Sequence, residues 1–495
     1  MLTVRRRAGR RADGQDGGPG LIAPAPVEDA PAVPLEAAAR LGRILRGEQI
    51  RVLPEWLEAA AERGLRVPAR LLPELLEKGR SDRMLRPAIV RSAGRRGVWL
   101  ALRNTDWAYL VGSGDDPGGG PDVWETGTRN QRVAHLARLR GTDPARARAV
   151  LRETWAKEPA PERAAFLATF EHGLSADDEP FLEEALEDRG KDVRQLASDL
   201  LARLPGSAYG RRMAVRAREC VRAEVRTIRQ RDQTWVVVEA PHEHDEDMAR
   251  DGVPFHPTGS FAPGGRAGGP VGARAGWLRE ILARTPLTTW TDLFGLPPME
   301  IVCLPVTDGD ADGSMGRARD MHIGWARAAL RQRDAGWARA LLRLAVGPRQ
   351  GVGTYTRGVV ADEPEALADL LAILPAAERD QAAAGLVRWV EGNPDLLRVL
   401  ERIPGPWTGE LADAVVATLA TAAERSSQRY EHTLTQLCRL ADQRLVPEAA
   451  PRLEALADRL GGDVTVIAGA AATRTLNELI ETLRFRDDML KELSE

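Results

Sequence analysis

Between Phe181 and Leu204 apolar residues recur as two helical stripes joined by a polar turn, FLEEALEDRGKDVRQLASDLLARL. The first stripe is Phe181, Leu182, Ala185 and Leu186. The second is Val193, Leu196, Ala197, Leu200, Leu201 and Leu204, the i, i+3, i+4, i+7, i+8, i+11 spacing of a helix with one buried face. Arg194, Gln195, Ser198, Asp199 and Arg203 fall on the opposite side. Such a pair cannot cover its own apolar face and must stack on neighbours of the same kind, so the pattern predicts an all-α chain built as an α-solenoid of helical hairpins.

Helical period extends along much of the chain. Residues 1–34 are the exception at the start: rich in Arg, Gly, Pro and Ala without such a period, they are expected to be disordered. Helical patterns run through 35–233, with Asp143 and Pro144 as an N-cap and N1 pair and PERAAFLATF following from Pro161. The stretch GSGDDPGGGPD at 112–122 reads as a loop. Residues 234–315 form an irregular insert with one or two short strands, TWVVVEAP from Thr234 and MEIVCLP from Met299, and a Gly-, Pro- and His-rich loop over 241–276 whose removal is expected to cost little. From 316 to 495 helices return, with WARA at Trp325 and again at Trp337, and a last stripe of Leu476, Leu479, Ile480 and Leu483.

Composition narrows the class of protein more than its activity. The 495 residues carry a net charge of -3, which argues against wholesale binding to nucleic acid or anionic membrane. Lysine occurs only at positions 78, 157, 191 and 491, so arginine clusters reflect codon bias before they reflect function. Cys220, Cys303 and Cys438 are far apart and fit neither a disulfide framework nor a thiolate metal site. The basic N-terminus lacks an apolar h-region and no run reaches the length of a membrane span, so a cytoplasmic protein is expected.

The run PFLEEALEDRGKDVRQLASDLLARLP resembles the HEAT-repeat consensus, with Pro180 entering the first helix, Asp188 in the turn, and Asp192, Val193 and Arg194 opening the second. That resemblance implies a charge ladder between neighbouring turn acids and arginines, and a valine inserted into the core. NTDWAYL at Asn104, DPARARAVLRETW at Asp143, DEPFLEEALEDR at Asp178, TPLTTWTDLFGLPP at Thr285 and GWARAALRQRD at Gly324 are similar to segments of a bacterial family of unknown function. Members of that family are commonly encoded beside a MoxR-type AAA+ ATPase, a von Willebrand A protein and a SWIM zinc-finger protein. The resemblance implies protein partners of the first two kinds, and it carries over no catalytic residues and no cofactor.

Two clusters have residue types suited to chemistry. His242 and His244 in HEHDED, with His256 nearby, could ligate a divalent ion, although no HExxH helix is present and a solvated acidic loop is the simpler reading. The run YGRRMAVRARECVRAEVRTIRQR over 209–231 reads as one helix that places Arg218, Arg222, Arg226 and Arg229 on one stripe, opposite Met213, Ala217, Val221, Val225 and Ile228. Such a stripe could grip a phosphate backbone. No Gly-rich stretch has P-loop spacing and no GxSxG elbow occurs. The expected function is a non-catalytic interaction scaffold or adaptor, with nucleic-acid binding through the arginine stripe as the alternative and a metal-dependent enzyme at 242–256 as the third reading.

Overall fold

The computed structural model describes residues 24–110, 122–257, 272–308, 316–346, 364–387, 396–424, 428–461 and 467–494. They are predominantly helical, with one three-stranded sheet of order β1 (Val221–Ile228), β2 (Arg231–Val238) and β3 (Val306–Asp308). None of the described helices is long and apolar enough to cross a membrane. The chain divides into two compact units, Met1–Gly118 with Phe485–Glu495, and Gly119–Arg484.

In the first unit, short helices at Leu35–Leu45, Leu53–Glu62, Leu72–Ser81 and Arg86–Ser92 enclose Ile44, Trp56, Leu57, Leu75 and Leu76. The C-terminal residues Met489 and Leu493 are buried in that same core. Two ion pairs tie them in: the buried Arg486 guanidinium donates Nη2 to Glu55 Oε1 at 2.8 Å, and Arg40 donates Nε to Glu492 at 2.6 Å. Of the segment expected to be disordered, residues 1–23 lie outside the described residues. The remainder is irregular and largely exposed, and is held at a few points. Val33 is buried and its N–H donates to the Arg66 carbonyl, while the Glu28 carboxylate accepts from the N–H groups of Arg95 and Arg96 at the start of the Gly94–Ala101 helix.

The second unit follows the predicted helix signals closely between 129 and 220. Asp143 accepts from Arg146 N at 3.0 Å and Pro144 opens the helix Pro144–Thr154, as an N-cap and N1 pair should. Along the helices Glu179–Ala185 and Lys191–Leu201 most of the two stripes read from the sequence is buried, Val193 fully and Leu196 and Leu204 in part, and Ser198, expected on the opposite side, is buried with them. Helices pack on the next but one: Ala160–Ala168 on Lys191–Leu201, Ala376–Val387 on Gly409–Glu424, Leu396–Arg402 on Gln428–Arg444. Ion pairs repeat with the same step. Arg132 meets Glu162 at a separation of 30 residues, Arg148 meets Asp178 at 30, Arg152 meets Glu184 at 32, and Arg212 meets Glu183 at 29.

The region 234–315 departs from its expected form. The run beginning at Met299 lies in the helix Pro298–Val302, and the strand follows it at Val306, where Pro305 and the β-branched Val306 and Thr307 leave the helix. The described part of the 241–276 segment is more than loop. It holds the helix Glu246–Arg250 and buries Met248, Asp251 and Val253. The Asp251 carbonyl accepts from Tyr209 Oη at 2.7 Å, and its carboxylate accepts from Arg212 and Arg216 at 3.1 Å. The reason is charge satisfaction: those arginines need an acid on the same side, and only the folded chain brings Asp251 there. Residues 258–271, with most of the glycines of the segment, and 112–121 of the expected earlier loop lie outside the described residues.

Candidate functional site

The single helix expected over 209–231 ends at Cys220. Ser207 caps its start by accepting from Gly210 N at 2.9 Å, and at Val221 the backbone turns extended, with φ -134° and ψ 121°. From there Val221, Val225, Thr227 and Ile228 supply the β-branched side chains that a strand accommodates and a helix crowds. β1 runs to Ile228, turns through Arg229 and Gln230, and returns as β2 in antiparallel register, Ile228 opposite Arg231 and Val221 opposite Val238. Arg229 and Gln230 both have positive φ, 51° and 65°, the two-residue type I′ geometry matched to strand twist.

The base of this hairpin is core. Val221, Val236 and Val238 are fully buried, and β3 pairs in parallel with Val236, Val237 and Val238 only. Beyond that point the two strands continue as an arm. Val225 is 65% exposed and Ile228 is 43% exposed, so the apolar stripe expected to face a helical core instead faces outward at the arm. Among the described residues β1 is hydrogen-bonded on one side only.

The predicted arginines are therefore split across three elements. Arg218 is on the helix, Arg222 and Arg226 are on β1, and Arg229 is in the turn. Arg226 lies over the Trp235 ring, 4.9 Å from its centroid, and donates to Glu224 at 2.8 Å. Arg222 pairs with Glu239 at 3.4 Å. Arg229 and Arg231 have no ion-pair partner among the described residues.

The histidines are not brought together as a metal site. His242 is exposed and lies 3.2 Å from Glu239. His244 lies 2.8 Å from the Val253 carbonyl, which commits that ring nitrogen to donating, and the ring packs between Phe255 and Trp277. His256 packs edge-on to Phe255. Among the described residues no group of three or more His, Cys, Asp or Glu side chains is arranged to hold a metal ion. Burial pushes the Cys220 and Cys438 thiols up to about 12, the opposite of what a nucleophile requires.

Sequence reasoning missed a buried ionic cluster where the helices Ala273–Arg284 and Gly316–Gln332 meet Asp199 of Lys191–Leu201. Glu280 accepts from Arg327 at 2.7 Å and pairs with Arg284, whose other terminal nitrogen reaches Asp199 at 3.2 Å. Arg331 reaches the same Asp199 oxygen at 3.1 Å. Burial alone would raise the Glu280 carboxyl, but three guanidiniums outweigh it and hold it at about 2. Arg279 and Asp320 form a further buried pair at 2.8 Å. Nearby, burial pushes His322 down to about 4 against a hydrogen bond with the Val302 backbone, so its ring is neutral at pH 7. Each arginine of this cluster lies on a helix that is buried on nearly every side, over 276–284 in the first and 320–329 in the second. In the sequence they were indistinguishable from solvent-facing arginines.

A family model, DUF5691, described as a family of unknown function, matches residues 1–493. No curated protein and no solved structure matches the chain.

Proposed function

We propose, on the premise that the chain belongs to this family of unknown function, that it is a non-catalytic protein-interaction scaffold. Its helices stack as a HEAT-like α-solenoid and its β-arm serves as a docking element. The arm itself carries this reading. It leaves the core with Val225 and Ile228 exposed and, among the described residues, one backbone edge unpaired, a combination that a protein surface can cover and a small molecule cannot. The solenoid part is supported by the next-but-one packing, by the ion pairs recurring about every 30 residues, and by the turn at Asp188. There Asp188 accepts from Arg163 of the preceding pair at 2.7 Å and from Gly190 N at 2.7 Å, and Arg194 donates to the Asp188 carbonyl at 2.7 Å. These contacts match the charge ladder that the HEAT resemblance implies.

The partners this reading names are an AAA+ ATPase of the MoxR type and a von Willebrand A protein, in a cytoplasmic setting. Tagged full-length protein recovered from its native host is expected to bring down both, and a Val225→Asp, Ile228→Asp variant with unchanged circular dichroism is expected to lose at least one. Recovery of neither partner by the parent protein overturns the assignment of partners. Equal capture by parent and variant removes the arm from the reading.

A second reading is nucleic-acid binding by the arm, favoured by Arg229 and Arg231, which lack an acid among the described residues. It is the weaker one, because Arg222 and Arg226 are already neutralised by Glu239 and Glu224. Two such cations release far fewer counterions than the roughly 6–10 phosphate contacts typical of duplex binders. Duplex binding at low salt that is lost in an Arg229→Glu, Arg231→Glu variant would reverse this order.

A further inference from the structure

We propose that β1 is a self-complementary dimerisation edge, through which two copies of this chain join their arms into one antiparallel four-stranded sheet. This dimer presupposes the reading of the arm as a protein-docking element and identifies one occupant.

Which backbone groups face outward is set by the turn. In a two-residue hairpin the pair flanking the turn, Ile228 and Arg231, exchanges both hydrogen bonds, and such pairs alternate along the strands. Arg226, Glu224 and Arg222 therefore direct their N–H and C=O groups at β2. Ala223, Val225 and Thr227 direct theirs at the open edge. Two contacts at the base agree with this phase: Glu239 N donates to Cys220 O at 2.8 Å across the hairpin, whereas Val236 N turns away from β1 and donates to Pro305 O at 2.9 Å.

An incoming antiparallel strand must offer outward groups at the same spacing, and a second β1 does so in three central registers. Centring the two-fold axis on Glu224 places Arg222 opposite Arg226, and each Glu224 opposite its own copy. Centring it on Arg226 places the two Arg226 side chains opposite each other. Both registers set like charges side by side, which is unfavourable in a cross-strand pair.

Centring on Val225 has neither fault. It pairs Ala223 with Thr227 of the other copy, Val225 with Val225, and Glu224 with Arg226 twice. The Glu224–Arg226 contact within each strand, 2.8 Å, then becomes part of an alternating four-charge row on one face. The remaining pair sets the Arg222 stem against Ile228. Both apolar side chains that the arm exposes, Val225 and Ile228, are covered in this register. A symmetric contact of this kind is closed and stops at two copies. An extended peptide from another protein could use the same edge, but only the second copy supplies matched charges in a register fixed by this chain's own sequence.

A contact of about seven residues per strand falls below the roughly 1,200 Å² of a standard interface, so the dimer is expected to be weak, with dissociation on the order of 10–100 µM. Sedimentation equilibrium of the full chain at low salt, over a concentration range spanning that value, should show mass rising from monomer toward dimer. Glu224→Arg, which sets two Arg–Arg pairs across the axis, should weaken association by about tenfold or more. The double variant Glu224→Arg, Arg226→Glu restores opposite charges in the same register and should restore it. A Val225→Cys variant in a Cys303→Ser background should form disulfide dimers under mild oxidation, while Ala223→Cys in that background should not, because only residue 225 faces its own copy.

A chain that stays monomeric throughout the range, an unchanged Glu224→Arg, or a double swap that fails to rescue would each overturn the proposal. So would association that appears only when duplex DNA is added. Failure of self-association leaves the scaffold reading standing if Val225→Asp, Ile228→Asp still abolishes partner capture. Dimerisation without any such capture separates the two in the other direction.

Discussion

His322 is the residue whose surroundings most change its chemistry. It is buried, packs against Trp325 at 5.7 Å between ring centroids, and is held neutral by that burial with a pKa of about 4 instead of 6.5. The sign follows from which state binds the proton. Between pH 6.5 and 4 the unfolded chain protonates this histidine and the folded chain does not, so the stabilisation is present above 6.5 and is lost as pH falls through that window. The gap between 6.5 and about 4, at about 1.4 kcal/mol per pH unit, corresponds to roughly 3 kcal/mol. Urea midpoints of the parent protein are therefore expected to fall as pH drops from neutral to about 4, and His322→Phe should remove about that much of the total loss of stability across the window. Parallel pH curves for the two proteins would contradict the assignment. The histidine was visible in the sequence, but its burial was not, because a helix that also carries Arg319, Asp320 and Arg327 gives no local sign that 320–329 is buried on every side.

The β1–β2 arm shows how one residue pattern can satisfy two periods. Arginines at 218, 222 and 226 are four apart, which is one face of a helix and equally one face of a strand. The β-branched residues between them and the Arg229–Gln230 turn decide the matter, yet neither turn residue is the Asn or Gly that marks a type I′ hairpin. Both adopt the left-handed region at a steric cost of roughly 1–2 kcal/mol each. The double substitution Arg229→Asn, Gln230→Gly should stabilise the arm by about 0.5–1 kcal/mol and slow amide exchange at Arg226 and Gln233, which pair across the hairpin. An Ala–Ala turn should give no such gain. Exchange rates unchanged in the Asn–Gly variant would mean that the arm is held by its base and not by its turn.

The first unit as a whole is completed by the end of the chain. Met489, Leu493 and Arg486 are all buried there, the last against Glu55, and Glu492 neutralises Arg40. Ending the chain after Arg484 deletes two core side chains, each worth about 2–5 kcal/mol by large-to-small substitution, and strands the Arg40 guanidinium without its acid. The truncated protein is expected to lose amide protection throughout Leu35–Ser92 while Lys191–Cys220 keeps its own. Retained protection in the first segment would show that it needs no C-terminal closure. The Arg486–Glu55 pair joins residues 431 positions apart, a separation that no local pattern encodes.

Local pattern was enough to establish the helical class, most of the two buried stripes of 181–204, the caps at Asp143 and Pro144, and the burial of the Leu476–Leu483 stripe. These follow from apolar period and capping chemistry, which act within a few residues of the backbone they shape. The same pattern identified β2 and missed its partners. Pairing strands need non-local neighbours, and the run at Met299 has the same apolar content whether it is a helix or a strand. Which arginines are buried was settled by packing between distant segments. Arg284, Arg327 and Arg331 converge on Glu280 and Asp199 in a cluster drawn from three helices, whereas Arg229 and Arg231 on the arm meet no acid among the described residues. Charge is written in the sequence, but its compensation depends on which distant acids the fold brings within hydrogen-bond reach.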